Sequence, residues 1–253
     1  MVGAAAQVGV KGKERECLRA DLHTVCPSYP PAMDFLQDIK NTMGKFFSKP
    51  KLSEFQKEKL LHEFKMFYDL DGNGYLTWND FQVAKQHVCK LNGWAEGSKK
   101  EKNASEVFQL VWNAIQELGD KDKDDQVSTD EWLTLWEGVQ VKMLDEKKKE
   151  KKEDKTAEVS DLPLWTYRYL DHRFQMFDRT GDGVIDGDEF EYVLEQFGVS
   201  PTQARQAWRI FTESDTIKVD FPNFCKLATE YYFSDDPGAL GNFITGKVDF
   251  TNM

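Results

Sequence analysis

The chain has 253 residues, a formal net charge of −11, and 40% hydrophobic residues including 13% aromatics. That length allows one large domain or two small ones, and the apolar share is enough for a core. So acidic a balance argues against nucleic acid as a partner, because phosphate contacts need clustered lysine and arginine; it suits a chain that gathers carboxylates around cations.

Residues 1–50 read as a disordered leader plus a short amphipathic helix. No helical or strand period appears before Ser28-Tyr29-Pro30-Pro31, after which Phe35, Ile39, Met43, Phe46 and Phe47 recur at spacings of three or four. That helix is expected to pack on the body; the alternative is an arm that meets a membrane or a partner. Residues 51–141 then carry a first pair of helix–loop–helix units. Ser53 followed by Gln56 spells a capping box. Leu60, Leu61, Phe64 and Phe67 line the entering helix, and Phe81, Ala84 and Val88 the exiting one. The next unit has Val107, Leu110, Val111, Ile115 and Leu118 before its loop and Trp132, Leu135, Trp136 and Val139 after it. Residues 142–160, rich in lysine and glutamate, are expected to form a solvated charged linker. Residues 161–233 hold a second pair, reopening at Asp161-Leu162-Pro163. Leu170, Phe174 and Phe177 precede its first loop, Phe190, Val193, Leu194 and Phe197 follow, and Gly198 stops the helix. Residues 234–253 form a tail expected to fold back through Phe243, Ile244 and Phe250.

Three twelve-residue acidic loops sit inside these units. A calcium ion takes six to eight oxygens at about 2.3–2.6 Å, and a loop can supply them from positions 1, 3, 5, 7, 9 and 12, with the backbone carbonyl used at 7. In the first loop these places are Asp69, Asp71, Asn73, Tyr75 (carbonyl), Thr77 and Asp80; in the second, Asp120, Asp122, Asp124, Gln126 (carbonyl), Ser128 and Glu131; in the third, Asp178, Thr180, Asp182, Val184 (carbonyl), Asp186 and Glu189. Each departs once from the strict EF-hand spacing D-x-[DN]-x-[DN]-G-x5-E. Asp80 stands where glutamate is usual and is one methylene shorter, which makes magnesium competitive at the first loop. Asp125 replaces the turn glycine of the second, and Thr180 the third-position carboxylate of the third. Three such near-matches, each flanked by aromatic-rich helices, point to three Ca²⁺ sites.

Such loops pair, so three predict a fourth. Trp208 and Phe211 lead in, and Phe221, Phe224 and Leu227 lead out. Aligning Val219 as the apolar residue places the loop at 212–223, with Thr212 at its head, Ile217 at the turn and Asn223 at its end. Too few carboxylates remain for an ion. The fold class expected is therefore all-α: four EF-hands in two pairs, three ion-binding and the fourth degenerate, with a short two-stranded β ladder in each pair, in a compact molecule.

Near the C-terminus Gly241 to Lys247 fits G-x-x-x-x-G-K, the opening of a phosphate-binding loop, but Val248 stands where Ser or Thr is required, and neither a preceding strand nor a following helix is expected. The bland reading is an irregular tail. Cys17, Cys26, Cys89 and Cys225 form no C-x-x-C, and the last two fall among apolar residues as small buried hydrophobes. His23, His62, His87 and His172 show no metal spacing, and no triad or carboxylate dyad stands outside the loops. No run is apolar enough to cross a bilayer, Ala4 to Ala6 is too short for a secretory core, and Met-Val-Gly lacks the myristoylation signal. The expected location is the cytoplasm and the expected state a monomer.

From Leu52 onward the chain resembles calexcitins, within the sarcoplasmic calcium-binding proteins. The resemblance rests on FYDLDGNGYLTWNDF with its closing Asp80, DKDDQVSTDEW with an acid at the turn, Trp132 and Trp136, the lead-in LPLWTYRYL, and the ending TEYYFSDDPGALGN. It implies a compact four-hand fold with the first three hands binding calcium, a role in neuronal calcium signalling, and a GTP-binding property attributed to that family. The function expected is that of a cytosolic calcium sensor, not an enzyme, that recruits a target protein when calcium binds. The alternatives are a calcium buffer that changes little and, from another class, a GTP-binding protein using the tail.

Overall fold

The computed structural model describes residues 51–150 and 164–250, with side chains over 51–141 and 166–250. The expected leader over 1–50 and most of the charged linker lie outside the described residues. Eight α-helices occur among the described residues: α1 Glu54–Glu63, α2 Trp78–Leu91, α3 Lys99–Gly119, α4 Thr129–Glu150, α5 Leu164–Phe177, α6 Gly187–Gln196, α7 Pro201–Phe211 and α8 Phe221–Phe233. Helix α4 continues through Glu150, inside the stretch expected as linker.

Local chemistry sets the helix ends. At α1 the Ser53 hydroxyl accepts from Gln56 N and the Gln56 side chain accepts from Ser53 N, both at 3.1 Å, so the capping box forms; such a cap is worth about 1 kcal/mol. Ser98 caps α3 and Ser200 caps α7, which starts on Pro201. Helix α6 stops before Gly198, whose φ is +83°. Between α1 and the first loop lies one π turn, Phe64–Tyr68, closed by Asp69 N donating to Phe64 O at 2.9 Å. The wider turn buries Phe64, Met66, Phe67 and Tyr68 together and leaves Lys65 exposed.

Among the described residues, four two-residue strands pair two by two. β1 (Tyr75–Leu76) runs antiparallel to β2 (Val127–Ser128), with Leu76 opposite Val127. β3 (Val184–Ile185) pairs with β4 (Val219–Asp220), with Ile185 opposite Val219. Ladders this short have no independent stability. They persist because Leu76, Val127, Ile185 and Val219 are buried under the helices. The alignment of Val219 with Ile185 is thus the one expected from sequence.

One apolar cluster runs through all eight helices. It absorbs the plentiful aromatics: Tyr68 stacks on Phe81 (centroids 4.8 Å apart), Phe177 on Phe190 (5.6 Å), and Trp136 of α4 on Tyr232 of α8 (4.5 Å). The last contact joins the two halves of the chain, while Trp132 Nε1, donating to Leu60 O, ties α4 to α1 within the first half. Helix α3 packs on α5, and α1 on α8. Cys89 and Cys225 are buried and free.

Residues 234–250 lie against α1, α7 and α8. The ammonium of Lys59, fully buried, donates to Ser234 O (2.7 Å) and Asn242 Oδ1 (2.8 Å). A 3-10 turn, Leu240–Phe243, sits so close to α8 that a Cβ on Gly241 would fall 2.1 Å from Leu227 O; beyond the turn, a Cβ on Gly246 would fall 2.6 Å from Leu194 Cδ1 of α6. Lys247 Nζ pairs with Glu58 Oε1 at 2.9 Å. Ile244 and Phe250 are buried. No helix among the described residues is long and apolar enough to cross a membrane.

Candidate metal centres

Each acidic loop hangs between an entering helix and a helix whose N-terminus it caps. The first-position carboxylate is the hub. Asp69 accepts from Asn73 N (3.0 Å) and Gly74 N (3.1 Å). Asp120 accepts from Lys123 N (2.6 Å) and Asp125 N (3.1 Å). Asp178 accepts from Gly181 N (2.8 Å), Asp182 N (3.1 Å) and Gly183 N (2.9 Å). The fifth-position side chain closes a smaller ring: Asn73, Asp124 and Asp182 each accept from the backbone N–H two residues on.

This wrapping requires left-handed backbone at positions 4 and 6. Gly72 and Gly74 supply it in the first loop and Gly181 and Gly183 in the third, with φ between +70° and +85°. In the second loop Lys123 and Asp125 adopt φ of +63° without glycine, at a cost of about 1 kcal/mol or more each. Asp125 recovers part of that by accepting from Gln116 Nε2 at 2.8 Å. The left-handed fourth position is a requirement that the sequence reading missed; a second glycine two residues before the turn glycine is its signal in the first and third loops.

The ninth and twelfth positions are at once candidate ligands and the capping pair of the exit helix. Thr77 and Asp80 form a capping box on α2, and Asp186 and Glu189 one on α6. At α4 the Ser128 hydroxyl accepts from Glu131 N (3.3 Å), and Glu131 Oε2 accepts from Ser128 N (3.0 Å). Glutamate then does what aspartate does not. Glu131 Oε1 reaches back to Lys121 N and Glu189 Oε1 to Thr180 N, both at 2.8 Å, tying the head of the loop to its tail. Among the described residues the Asp80 carboxylate accepts only from Thr77, through its N–H (2.8 Å) and hydroxyl (2.6 Å). Burial pushes the Glu131 carboxyl up, but the N–H groups of Lys121 and Ser128 and the Ser128 hydroxyl outweigh it and hold the group below the usual carboxylate range.

Oxygens of Asp120, Asp122 and Asp124 lie within 4.8 Å of one another. Two ligands each 2.3–2.6 Å from one ion can stand at most about 5 Å apart, so this gathering fits a calcium-sized cation. In the first loop Asp71 joins Asp69 through a shared donor, Asn73 N. In the third, Thr180 meets Glu189 through its backbone. Tyr75 and Val184 stand in β1 and β3, and Gln126 directly before β2.

Loop 212–223 is tied up differently. Its left-handed residues are Glu213, Ser214 and Asp215 (φ +50° to +67°), not Ile217, where the sequence alignment expects the turn. The reason is local: Thr212 caps α7 with its hydroxyl on Trp208 O, and the Trp208 indole donates to Asp215 Oδ1 at 2.6 Å. Asn223 bonds Lys218 O through Nδ2 and accepts from Lys226.

The family model "EF hand" matches residues 170–194, the third loop with its flanks. The chain is 25% identical over 197 residues to sarcoplasmic calcium-binding proteins I, III and IV of Branchiostoma lanceolatum, covering 78% of this chain and 98% of theirs. It is also 25% identical to calexcitin-1 of Caenorhabditis elegans, over 74% of this chain and 84% of that one. Among solved structures, a sarcoplasmic calcium-binding protein from amphioxus superposes with a TM-score of 0.60 at 24% identity, over 78% of this chain and 99% of that one. The chain adopts a mostly helical EF-hand fold. Its homologues are the sarcoplasmic calcium-binding proteins and calexcitin-1.

Proposed function

We propose that the chain binds calcium at three sites, using the eighteen positions named above, on four EF-hands in two pairs whose fourth member is structural. The observation that carries this reading is the repeated hub: in all three loops the first carboxylate is caged by loop N–H groups. Caging fixes the first carboxylate at the head of each loop, the second loop in addition brings oxygens of Asp120, Asp122 and Asp124 within 4.8 Å of one another, and a bound cation would neutralise acids that otherwise repel. Three divalent ions bring +6 against −11, leaving a formal −5, so binding tightens folding. The first site, closed by the shorter Asp80, is the one where magnesium competes. The chain acts in the cytoplasm as a monomer and catalyses nothing.

Within this class the sequence favours a sensor. The single core, in which the apolar faces of both halves cover each other, fits a buffer at any calcium level and equally a sensor before calcium binds; large exposed hydrophobics among the described residues amount to Leu70, Tyr75, Val83 and Tyr192. A sensor exposes an apolar groove when calcium binds. The test is a calcium titration at physiological magnesium, following tryptophan fluorescence, stoichiometry by calorimetry and apolar-dye binding. Trp78 lies in the first loop and Trp132 directly follows the second. Saturation at three ions with flat dye signal supports a buffer and a rising dye signal a sensor; no heat and no fluorescence change overturn the ion-binding reading.

The nucleotide alternative is disfavoured by what its motif residues do. Gly241 admits the α8 backbone, Gly246 packs on Leu194, and Lys247 pairs with Glu58. Lys247→Ala is expected to leave nucleotide titrations flat, as in the native chain; saturable binding that the substitution abolishes would reinstate the alternative.

A further inference from the structure

The two β ladders join loops within each half of the chain, and neither joins one half to the other. A polar cluster in the core does. Glu63, the last residue of α1, is 1% exposed, and its Oε1 accepts three hydrogen bonds: from Tyr169 Oη (2.8 Å), Tyr232 Oη (2.7 Å) and Arg173 Nη1 (3.1 Å). Arg173 is 2% exposed, donates also to Tyr232 Oη at 3.3 Å, and lies over the Phe67 ring with its guanidinium carbon 4.4 Å from the centroid.

The cluster stands at the roots of two candidate sites. Only the π turn Phe64–Tyr68 separates Glu63 from Asp69, the hub of the first loop. Arg173 and Tyr169 are on α5, whose last residue, Phe177, precedes Asp178, the hub of the third. Tyr68, next to Asp69, is within 6.2 Å of the Tyr169 ring. A buried ion pair is a poor way to gain stability, because desolvation offsets most of its attraction; its better-attested use is to fix register between elements. A π turn is one residue wider than an α turn and recurs at functional sites. Here it is the packed, hydrogen-bonded link between a buried glutamate and a ligand-bearing loop.

We propose that this cluster couples ion occupancy of the third loop to that of the first, with Glu63 and Arg173 as positioning residues. The proposal rests on the reading that both loops bind calcium. An ion that draws Asp178 and Glu189 together fixes the end of α5. Arg173 and Tyr169 then hold Glu63, and Glu63 holds the head of the π turn that delivers Asp69. Filling the third loop therefore pre-orders the first, and by linkage the first favours the third by the same factor.

The test follows two backbone amides by NMR in the full chain during calcium titration. Gly74 N–H donates to Asp69 and Gly183 N–H to Asp178, so each reports its own loop. Glu189→Gln, which disables the third loop, is expected to weaken the first loop, read at Gly74, about fivefold or more. In an Arg173→Met background that ratio should fall to about 1. Tyr232→Phe, which removes one hydroxyl and keeps the ion pair, should give an intermediate ratio, and it decides the matter alone if Arg173→Met does not fold. An unchanged Gly74 midpoint on Glu189→Gln, or a full ratio that persists in the variants, overturns the coupling while leaving three-site binding intact. If neither amide responds to calcium in the native chain, the ion-binding reading fails and the coupling with it.

Discussion

One methylene separates Asp80 from Glu131 and Glu189, and the structure turns that into a difference of connection. Both glutamates cap the exit helix with one oxygen and reach the head of the loop with the other, while Asp80 reaches no farther than Thr77. Asp80→Glu is therefore expected to strengthen calcium binding at the first loop and to raise its preference for calcium over magnesium, by about tenfold, which is about 1.4 kcal/mol; competition calorimetry reads both. Lys123 offers a second test. Its φ of +63° is a conformation that glycine adopts freely, and its side chain is exposed. Lys123→Gly should stabilise the calcium-saturated chain by about 1 kcal/mol in urea unfolding, with no loss of stoichiometry. The candidate ligands were legible as a spacing of residue types, because the donor chemistry resides in the side chains themselves. The left-handed fourth position was not, because it is a property of backbone path, and in the second loop a lysine hides it.

At the scale of elements, the capping box of α1, the apolar ladder partners and the buried cysteines could be read from local pattern. The π turn could not. It arises where Phe64, Met66, Phe67 and Tyr68 all find places in the core, and four apolar residues within one turn look the same whichever helical width holds them. The shifted turn of loop 212–223 escaped for a similar reason: it depends on the Trp208 indole meeting Asp215 across the loop, which no spacing announces. The tail shows how a motif can be spelled by packing. Gly241 sits in G-x-x-x-x-G-K, yet its lack of a side chain is used by Leu227 O, 2.1 Å from where a Cβ would be. Gly241→Ala must lift the 3-10 turn off α8 or bend the helix, and overpacking of this kind costs about 1–3 kcal/mol. Lower urea midpoints with an unchanged slope would establish that packing role; an unaltered midpoint would show that the turn can move without cost.

Taken whole, the described residues share one core across two pairs of loops, and groups that join the pairs feel both. His172 on α5 is such a group. It is 3% exposed, and its ring meets Trp94 (centroids 5.9 Å) and Phe108 (5.2 Å) from the other pair edge-on. Neither ring nitrogen has a hydrogen-bond partner among the described residues. Burial lowers its pKa from 6.5 to about 4, because the apolar walls disfavour the imidazolium. The unfolded chain then binds the proton more readily than the folded one between those values. The stability that the neutral ring contributes is present above pH 6.5 and is lost as pH falls toward 4. A displacement of that size corresponds to about 3 kcal/mol at the acid end. His172→Phe keeps the aromatic contacts and removes the titration. The variant should lose less stability than the native chain between pH 6.5 and 4, and should equal or exceed it at neutral pH, since no buried polar nitrogen remains to be desolvated. Urea unfolding of both chains across that range, with chelator present so that ion release at the loops does not contribute, checks the difference; parallel pH profiles would mean that the ring is hydrated in solution. A neutral His172 wedged between pairs ties acid stability to the same interface that carries the Glu63–Arg173 cluster.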